Sequence, residues 1–230
     1  MIFNLNEIDL KLTDEQLKNF YVFMNLLIEK NKVMNLTGIT EPREVILKHF
    51  IDSLTILKYI DKNSSVIDVG TGAGFPGVPL KIAENSLEMT LLDSLNKRIN
   101  FLNEVIENTS LNNIKTIHGR AEEFGKNTEY REKYDISTSR AVAPLNILLE
   151  YMMPFIKVGG KCICMKGGNC EDEIEDTKNA IRILGGELEK IEKFNLPNSD
   201  NNRTILIIKK VKKTESQYPR NAGIPRKKPL

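Results

Sequence analysis

The stretch Val66-Ile67-Asp68-Val69-Gly70-Thr71-Gly72-Ala73-Gly74-Phe75-Pro76-Gly77 decides the fold: a short apolar strand, then glycines, then the start of a helix. Glycine is called for where a turn needs backbone angles closed to other residues, and where a ligand must approach main-chain N–H groups with no Cβ between them. The segment therefore reads as a loop that cradles a cofactor. Outward from it, short apolar runs alternate with amphipathic segments. Val66 to Val69, Glu88 to Leu92, Ile114 to His118, Tyr134 to Thr138 and Lys161 to Met165 read as strands. Pro76 to Ala83, Lys97 to Ile106, a short helix around Glu122, Leu145 to Met153 and Glu171 to Leu184 read as the helices between and after them. That alternation predicts a mostly parallel sheet covered by helices, an open doubly wound α/β fold of the Rossmann-like kind with its site at the carboxyl ends of the strands. The last two strands, Leu188 to Phe194 and Thr204 to Lys210, are joined by a turn-rich linker too short for a helix, which makes that pair an antiparallel hairpin.

Before the loop the texture is helical. Thr13-Asp14-Glu15-Gln16 offers an N-cap with Gln at the third helical position, and Leu17, Phe20, Tyr21, Met24, Leu27 and Ile28 follow at helical spacing. A second helix begins near Glu41-Pro42, with Val45, Ile46, Phe50, Leu54 and Leu57 on one face; Met34 to Gly38 is the connector. The organisation expected is a helical extension over residues 1–60, a catalytic domain over 61–211 and a basic tail over 212–230.

Composition narrows the class. With 230 residues and 40% hydrophobic content the chain can bury one ample core. Three cysteines and no basic-then-apolar leader at Met1 point to a cytoplasmic protein, and no apolar run approaches the ~20 residues needed to span a bilayer. The net charge of +2 is unevenly spread: residues 209–230 hold eight basic side chains against Glu215 alone, a balance of +7, and the remainder sums to −5. A polyanionic partner or a solvated tail would each account for that asymmetry.

The glycine loop admits two registers. Gly72-Ala73-Gly74-Phe75-Pro76-Gly77 fits the dinucleotide pattern G-x-G-x-x-G, which would make the chain a nicotinamide-dependent oxidoreductase. Asp68-Val69-Gly70-Thr71-Gly72-Ala73-Gly74 resembles the acidic-x-G-x-G-x-G signature of S-adenosylmethionine (SAM) methyltransferases. The strand ends directly at Gly70 with an acidic residue before it, which favours the second. Asp93 closes the next strand, where a carboxylate can accept both ribose hydroxyls of a nucleoside under either reading.

Further motifs sharpen the resemblance. Asn35-Leu36-Thr37, His49-Phe50-Ile51-Asp52-Ser53-Leu54, the glycine loop, Gly119-Arg120-Ala121-Glu122-Glu123, Ser139-Arg140-Ala141-Val142-Ala143 and the ending Tyr218-Pro219-Arg220-Asn221-Ala222-Gly223-Ile224-Pro225 together resemble the glucose-inhibited division protein B family. These are the 16S rRNA guanine-N7 methyltransferases. The resemblance covers nearly the whole chain and implies a SAM site on Gly70, Phe75, Asp93, Ser94, Leu95, Ala121, Glu122 and Arg140, beside Asp68, Gly72 and Gly74 of the loop. It also implies 16S rRNA of the small ribosomal subunit as partner, and a monomer is the default assembly.

Guanine N7 carries a lone pair and no proton, so its methylation is a displacement that needs alignment more than a general base, and no catalytic base is sought. Cysteine-nucleophile chemistry is disfavoured, because Cys162 and Cys164 alternate within an apolar strand as small buried thiols do. Two histidines and no paired C-x-x-C modules leave too few ligands for a metal. With RNA as partner, Lys166, Arg220, Arg226, Lys227 and Lys228 are the expected phosphate contacts. The rival readings are an RNA-binding module that keeps SAM without turnover, a small-molecule methyltransferase and the oxidoreductase above.

Overall fold

The computed structural model describes residues 10–140, 143–168 and 170–230. The chain start, read above for a leader, and Ala141 and Val142 of the fifth motif lie outside the described residues. Seven strands form one sheet: β1 (Ser65–Val69), β2 (Glu88–Asp93), β3 (Ile114–His118), β4 (Tyr134–Arg140), β5 (Ile156–Gly167), β6 (Gly186–Asn195) and β7 (Asn202–Lys210). Their order is β3-β2-β1-β4-β5-β7-β6. The first five are parallel to one another, whereas β7 is antiparallel to both β5 and β6. The order reverses between β1 and β4, which is where a doubly wound sheet opens a crevice at its carboxyl edge. This is the fold class expected from the alternation of strand and helix.

Side-chain alternation on the strands feeds two cores. On β5, Ile163 and Met165 enter the cluster shared with α1 (Asp14–Met34), α4 (Gly77–Ala83) and α5 (Asn96–Thr109). Cys162 and Cys164 enter the opposite one, under α7 (Leu145–Met152) and α8 (Glu171–Ile183). There the two sulfurs lie 3.7 Å apart, each 3.8 Å from Met152 Sδ. All three cysteines are free and buried.

Helix α1 starts on the capping box read from the sequence, with Thr13 and Gln16 satisfying each other's backbone N–H groups, and ends with Asn35 in the left-handed region. Its face carries Phe20 and Phe23 into an aromatic cluster with Phe50, Phe75 and Phe101, with ring centroids 5.1–6.4 Å apart. Truncating such a fully buried ring costs on the order of 3–5 kcal/mol, so this cluster binds the helical extension firmly to the glycine loop.

The second helix is not uniform. It opens as α2 (Pro42–Val45), widens into π-helical turns over Ile46–Ile51 and closes as α3 (Asp52–Leu54). Apolar spacing alone cannot separate π from α turns. The wider turns aim His49 and Asp52 at Arg140 on β4, while Phe50 stays in the core.

The basic tail is docked. Lys210 is fully buried, and its Nζ donates to the Met153 carbonyl at 2.8 Å and to the Thr214 hydroxyl; burial pushes its pKa down to about 8. Arg131 donates to the carbonyl oxygens of Gly125 (2.8 Å), Tyr218 (2.7 Å), Thr214 (2.7 Å) and Glu215 (3.1 Å). Arg220 closes on Glu150 of α7, Nη2 to Oε2 at 2.6 Å and Nε to Oε1 at 2.9 Å, and its backbone N–H adds a 2.7 Å bond to the same carboxylate. Two of the eight tail cations are therefore spent inside the molecule.

Candidate functional site

Two connected lobes lie at the carboxyl edge of β1, β2 and β4. The smaller, about 210 Å³, is lined by Gly70, Asp93, Ser94, Ala121, Glu122 and Tyr151, among others. The larger, about 420 Å³, is bounded by Leu36, Thr37, His49, Gly72, Phe75 and Arg140. Gly70, Asp93, Ser94 and Arg226 line both.

The glycine loop is shaped from behind by Asp68, which is fully buried and lines neither lobe. Its Oδ2 accepts the Thr71 hydroxyl at 2.6 Å and the Gly77 N–H at 2.9 Å, tying the end of β1 to the first turn of α4. A Cβ on Gly77 would sit 2.4 Å from Leu91 Cδ2 and 2.9 Å from Asp68 Oδ2, so a larger residue there would have to displace both side chains. Burial pushes the Asp68 carboxyl up to about 7, against the opposing pull of those hydrogen bonds and of Arg140. Gly72 has φ of +62°, and a Cβ built on it would meet nothing within 4 Å. At that point a bound group can approach the main chain.

Asp93 joins the loop to the second strand. Its Oδ2 accepts the Gly72 N–H at 2.9 Å and Arg98 Nη1 at 3.2 Å, and its Oδ1 accepts the Leu95 N–H at 2.9 Å. A carboxylate offers about four acceptor positions, so roughly one remains for a ligand hydroxyl rather than the two a ribose presents. Glu122, 7% exposed at the start of α6 (Ala121–Phe124), has no hydrogen-bond partner among the described residues and is the freer acceptor. Leu95 acts through its backbone; its side chain, like that of Asp68, lines neither lobe.

Arg140 is held from three sides. Nη1 donates to the Lys48 carbonyl (2.9 Å) and Asp52 Oδ2 (3.1 Å), and Nη2 donates to His49 Nδ1 (2.9 Å). The guanidinium lies 4.9 Å from the Phe75 ring centroid, and the His49 ring stacks on Phe75 at 4.4 Å. Since Arg140 can only donate, His49 Nδ1 must carry a lone pair and Nε2 the proton, which it gives to the Thr37 hydroxyl at 2.7 Å. Burial, then the Arg140 charge, push the His49 pKa down to about 3. Asp52 also accepts Arg203 Nε at 2.9 Å, extending the network to β7.

Of the residues named from sequence, Gly70, Gly72, Phe75, Asp93, Ser94, Ala121, Glu122 and Arg140 line the cleft, and Arg226 joins them. Gly74, Lys166, Arg220, Lys227 and Lys228 do not. Lys166 pairs with Glu173 at 2.7 Å and Arg220 with Glu150, so the phosphate role expected of them meets cations already neutralised. Lys227 and Lys228 stay exposed. Sequence reasoning missed Arg98, Arg120 and Tyr151. Arg98 was findable, one helical turn beyond Asp93; Tyr151, between Glu150 and Met152 in a mostly apolar helix, gives no signal.

The residues fit a nucleoside bearing an amino-acid tail: acceptors in one lobe, an open glycine and a fixed cation in the other. The family model for rRNA small subunit methyltransferase G (GidB) matches residues 16–205. The ribosomal RNA small subunit methyltransferase G of Acetivibrio thermocellus is 56% identical over 95% of this chain and 90% of its own length. That of Lactobacillus acidophilus is 46% identical over 100% and 97%. Among solved structures, a SAM-dependent methyltransferase from Aquifex aeolicus aligns with TM-score 0.56 at 15% identity, covering 76% of this chain and 96% of its own. M. jannaschii TYW2, solved in complex with AdoMet, aligns with TM-score 0.56 at 17% identity over 70% and 75%. At those identities the structural likeness speaks for the fold alone, whereas the sequence relatives span both chains almost completely, and on that ground the chain belongs to the rRNA small subunit methyltransferase G family.

Proposed function

We propose that the chain transfers the methyl group of SAM to N7 of a guanine in 16S rRNA of the small ribosomal subunit. One observation carries the choice of acceptor atom: His49, the one histidine lining the cleft, has both ring nitrogens engaged and is neutral by the Arg140 argument. It is not free to take a proton, and an N7 acceptor has none to give. SAM, when bound, supplies an electrophilic methyl on a sulfonium. The chain's work is then alignment and exclusion of water.

Glu122 and the remaining acceptor position of Asp93 hold the nucleoside polar groups, Gly70 and Gly72 let the backbone close on it, and the fixed guanidinium of Arg140 meets a carboxylate or phosphate in the larger lobe. Leu36, Thr37 and Phe75 supply a wall for a target base taken out of its stack. Exposed Arg120 at the mouth, with Lys227 and Lys228, contacts RNA phosphates. No helix among the described residues is long and apolar enough to cross a membrane, in keeping with work on ribosomal subunits in the cytoplasm. Calorimetric titration with SAM and with NAD tests the cofactor: SAM binding without NAD binding is expected, and the reverse would remove the reading.

A further inference from the structure

The C-terminal segment reaches the cleft itself. Gly223 lines the smaller lobe with Tyr151 and Glu122, and Arg226, on α9 (Ile224–Lys227), lines both lobes. The anchors that bring it there are internal. Glu150, fully buried on α7, grips Arg220, and the very next residue of α7, Tyr151, forms the wall that Gly223 and Arg226 complete. Arg131 fixes the earlier part of the segment through three of its carbonyl groups. Gly125 allows the close approach, because a Cβ there would lie 3.0 Å from Pro219 Cγ.

We propose that residues 214–227 are part of the cofactor site, with Gly223 and Arg226 walling the nucleoside lobe, so that docking of this segment and binding of SAM strengthen one another. The inference rests on the SAM reading above. A planar guanidinium offers both N–H donors and a flat face suited to a nucleobase, and Arg226 is exposed; its hydrogen bond to Tyr151 is separate from the bonds by which Arg131 and Arg220 anchor the segment. Its role is therefore separable from that of the anchors. Linkage makes the coupling reciprocal: whatever factor the docked segment adds to SAM affinity, SAM adds to the docked population.

Two measurements on the full-length chain test this. Calorimetric titration of SAM should give about tenfold weaker binding for Arg226→Ala, whose thermal transition falls far less than that of Arg131→Ala, and a loss at least as large for Arg131→Ala, whose segment is released. Hydrogen exchange on the wild-type chain, which needs no variant to fold, should show the amides of residues 218–227 slowed by about the same factor when SAM saturates the protein. Wild-type SAM affinity in both variants, together with exchange of 218–227 that ignores SAM, would reduce the segment to a structural cap and overturn the inference while leaving the cofactor reading intact. A wild-type chain that fails to bind SAM would remove both.

Discussion

Replacing Arg220 by alanine tests how the C-terminal segment is held. The carboxylate of Glu150 is fully buried, and three of its bonds, at 2.6, 2.7 and 2.9 Å, come from Arg220. Removing the guanidinium leaves the backbone N–H bond and strands the charge. Breaking a buried pair in this way costs on the order of 3–5 kcal/mol. The low end applies because 24% of the Arg220 side chain is exposed and water reaches that side. About 3 kcal/mol corresponds to a fall in Tm of roughly 6–12 °C for a chain of this size. Urea unfolding at pH 7.5, followed by far-UV circular dichroism, would measure it directly. Because the loss is attributed to a stranded carboxylate, adding Glu150→Gln to Arg220→Ala should return about 1–2 kcal/mol. A single variant that loses less than about 1 kcal/mol, or a double variant no more stable than the single, would refute the reasoning.

Three other outcomes are expected. Asp68 has a folded-state pKa raised from 3.8 to about 7, so its contribution is fully present below pH 3.8 and is lost as pH rises through about 7; Asp68→Asn should gain stability relative to wild type by up to about 4 kcal/mol between pH 4 and pH 8, and a pH-independent difference in urea titrations would show that the buried carboxyl does not titrate there. Asp93→Ala frees the Gly72 and Leu95 N–H groups and should weaken SAM binding about tenfold or more with the fold intact; unchanged affinity by calorimetry would take Asp93 out of the site. Lys227→Ala with Lys228→Ala should lower the salt slope of RNA binding by about 1.4, two lost phosphate contacts at about 0.7 each, and leave SAM affinity alone; an unaltered slope in filter-binding assays would assign those lysines to solvent.

Much of this architecture was legible in the sequence because it depends on local patterns. The strand running into Gly70, Gly72 and Gly74, the carboxylate closing β2 and the too-short linker before β7 each fix a feature through nearest neighbours in the chain. The features missed depend on contacts between distant segments. The charge count made residues 209–230 a basic appendage, yet Lys210 and Arg220 point inward, since composition records a charge and not its partner. Glu150 lies inside the apolar run Leu145 to Met153 and looks like a solvent-facing interruption until Arg220 is seen beside it. The π-helical turns over Ile46–Ile51 share their apolar spacing with an ordinary helix, and only the demand of Arg140 for His49 and Asp52 reveals them. Asp93 was read correctly as the carboxylate at the end of β2, but the Gly72, Leu95 and Arg98 groups that already occupy it were invisible, and they shift weight onto Glu122.

The central claim is tested most directly by methyl transfer from radiolabelled SAM to small ribosomal subunits taken from cells that lack this protein, with the labelled nucleoside identified by mass spectrometry. The account predicts label in 16S rRNA as 7-methylguanosine. Label on a different base would contradict the N7 assignment, and SAM binding with no label on any RNA would contradict methyl transfer to RNA altogether.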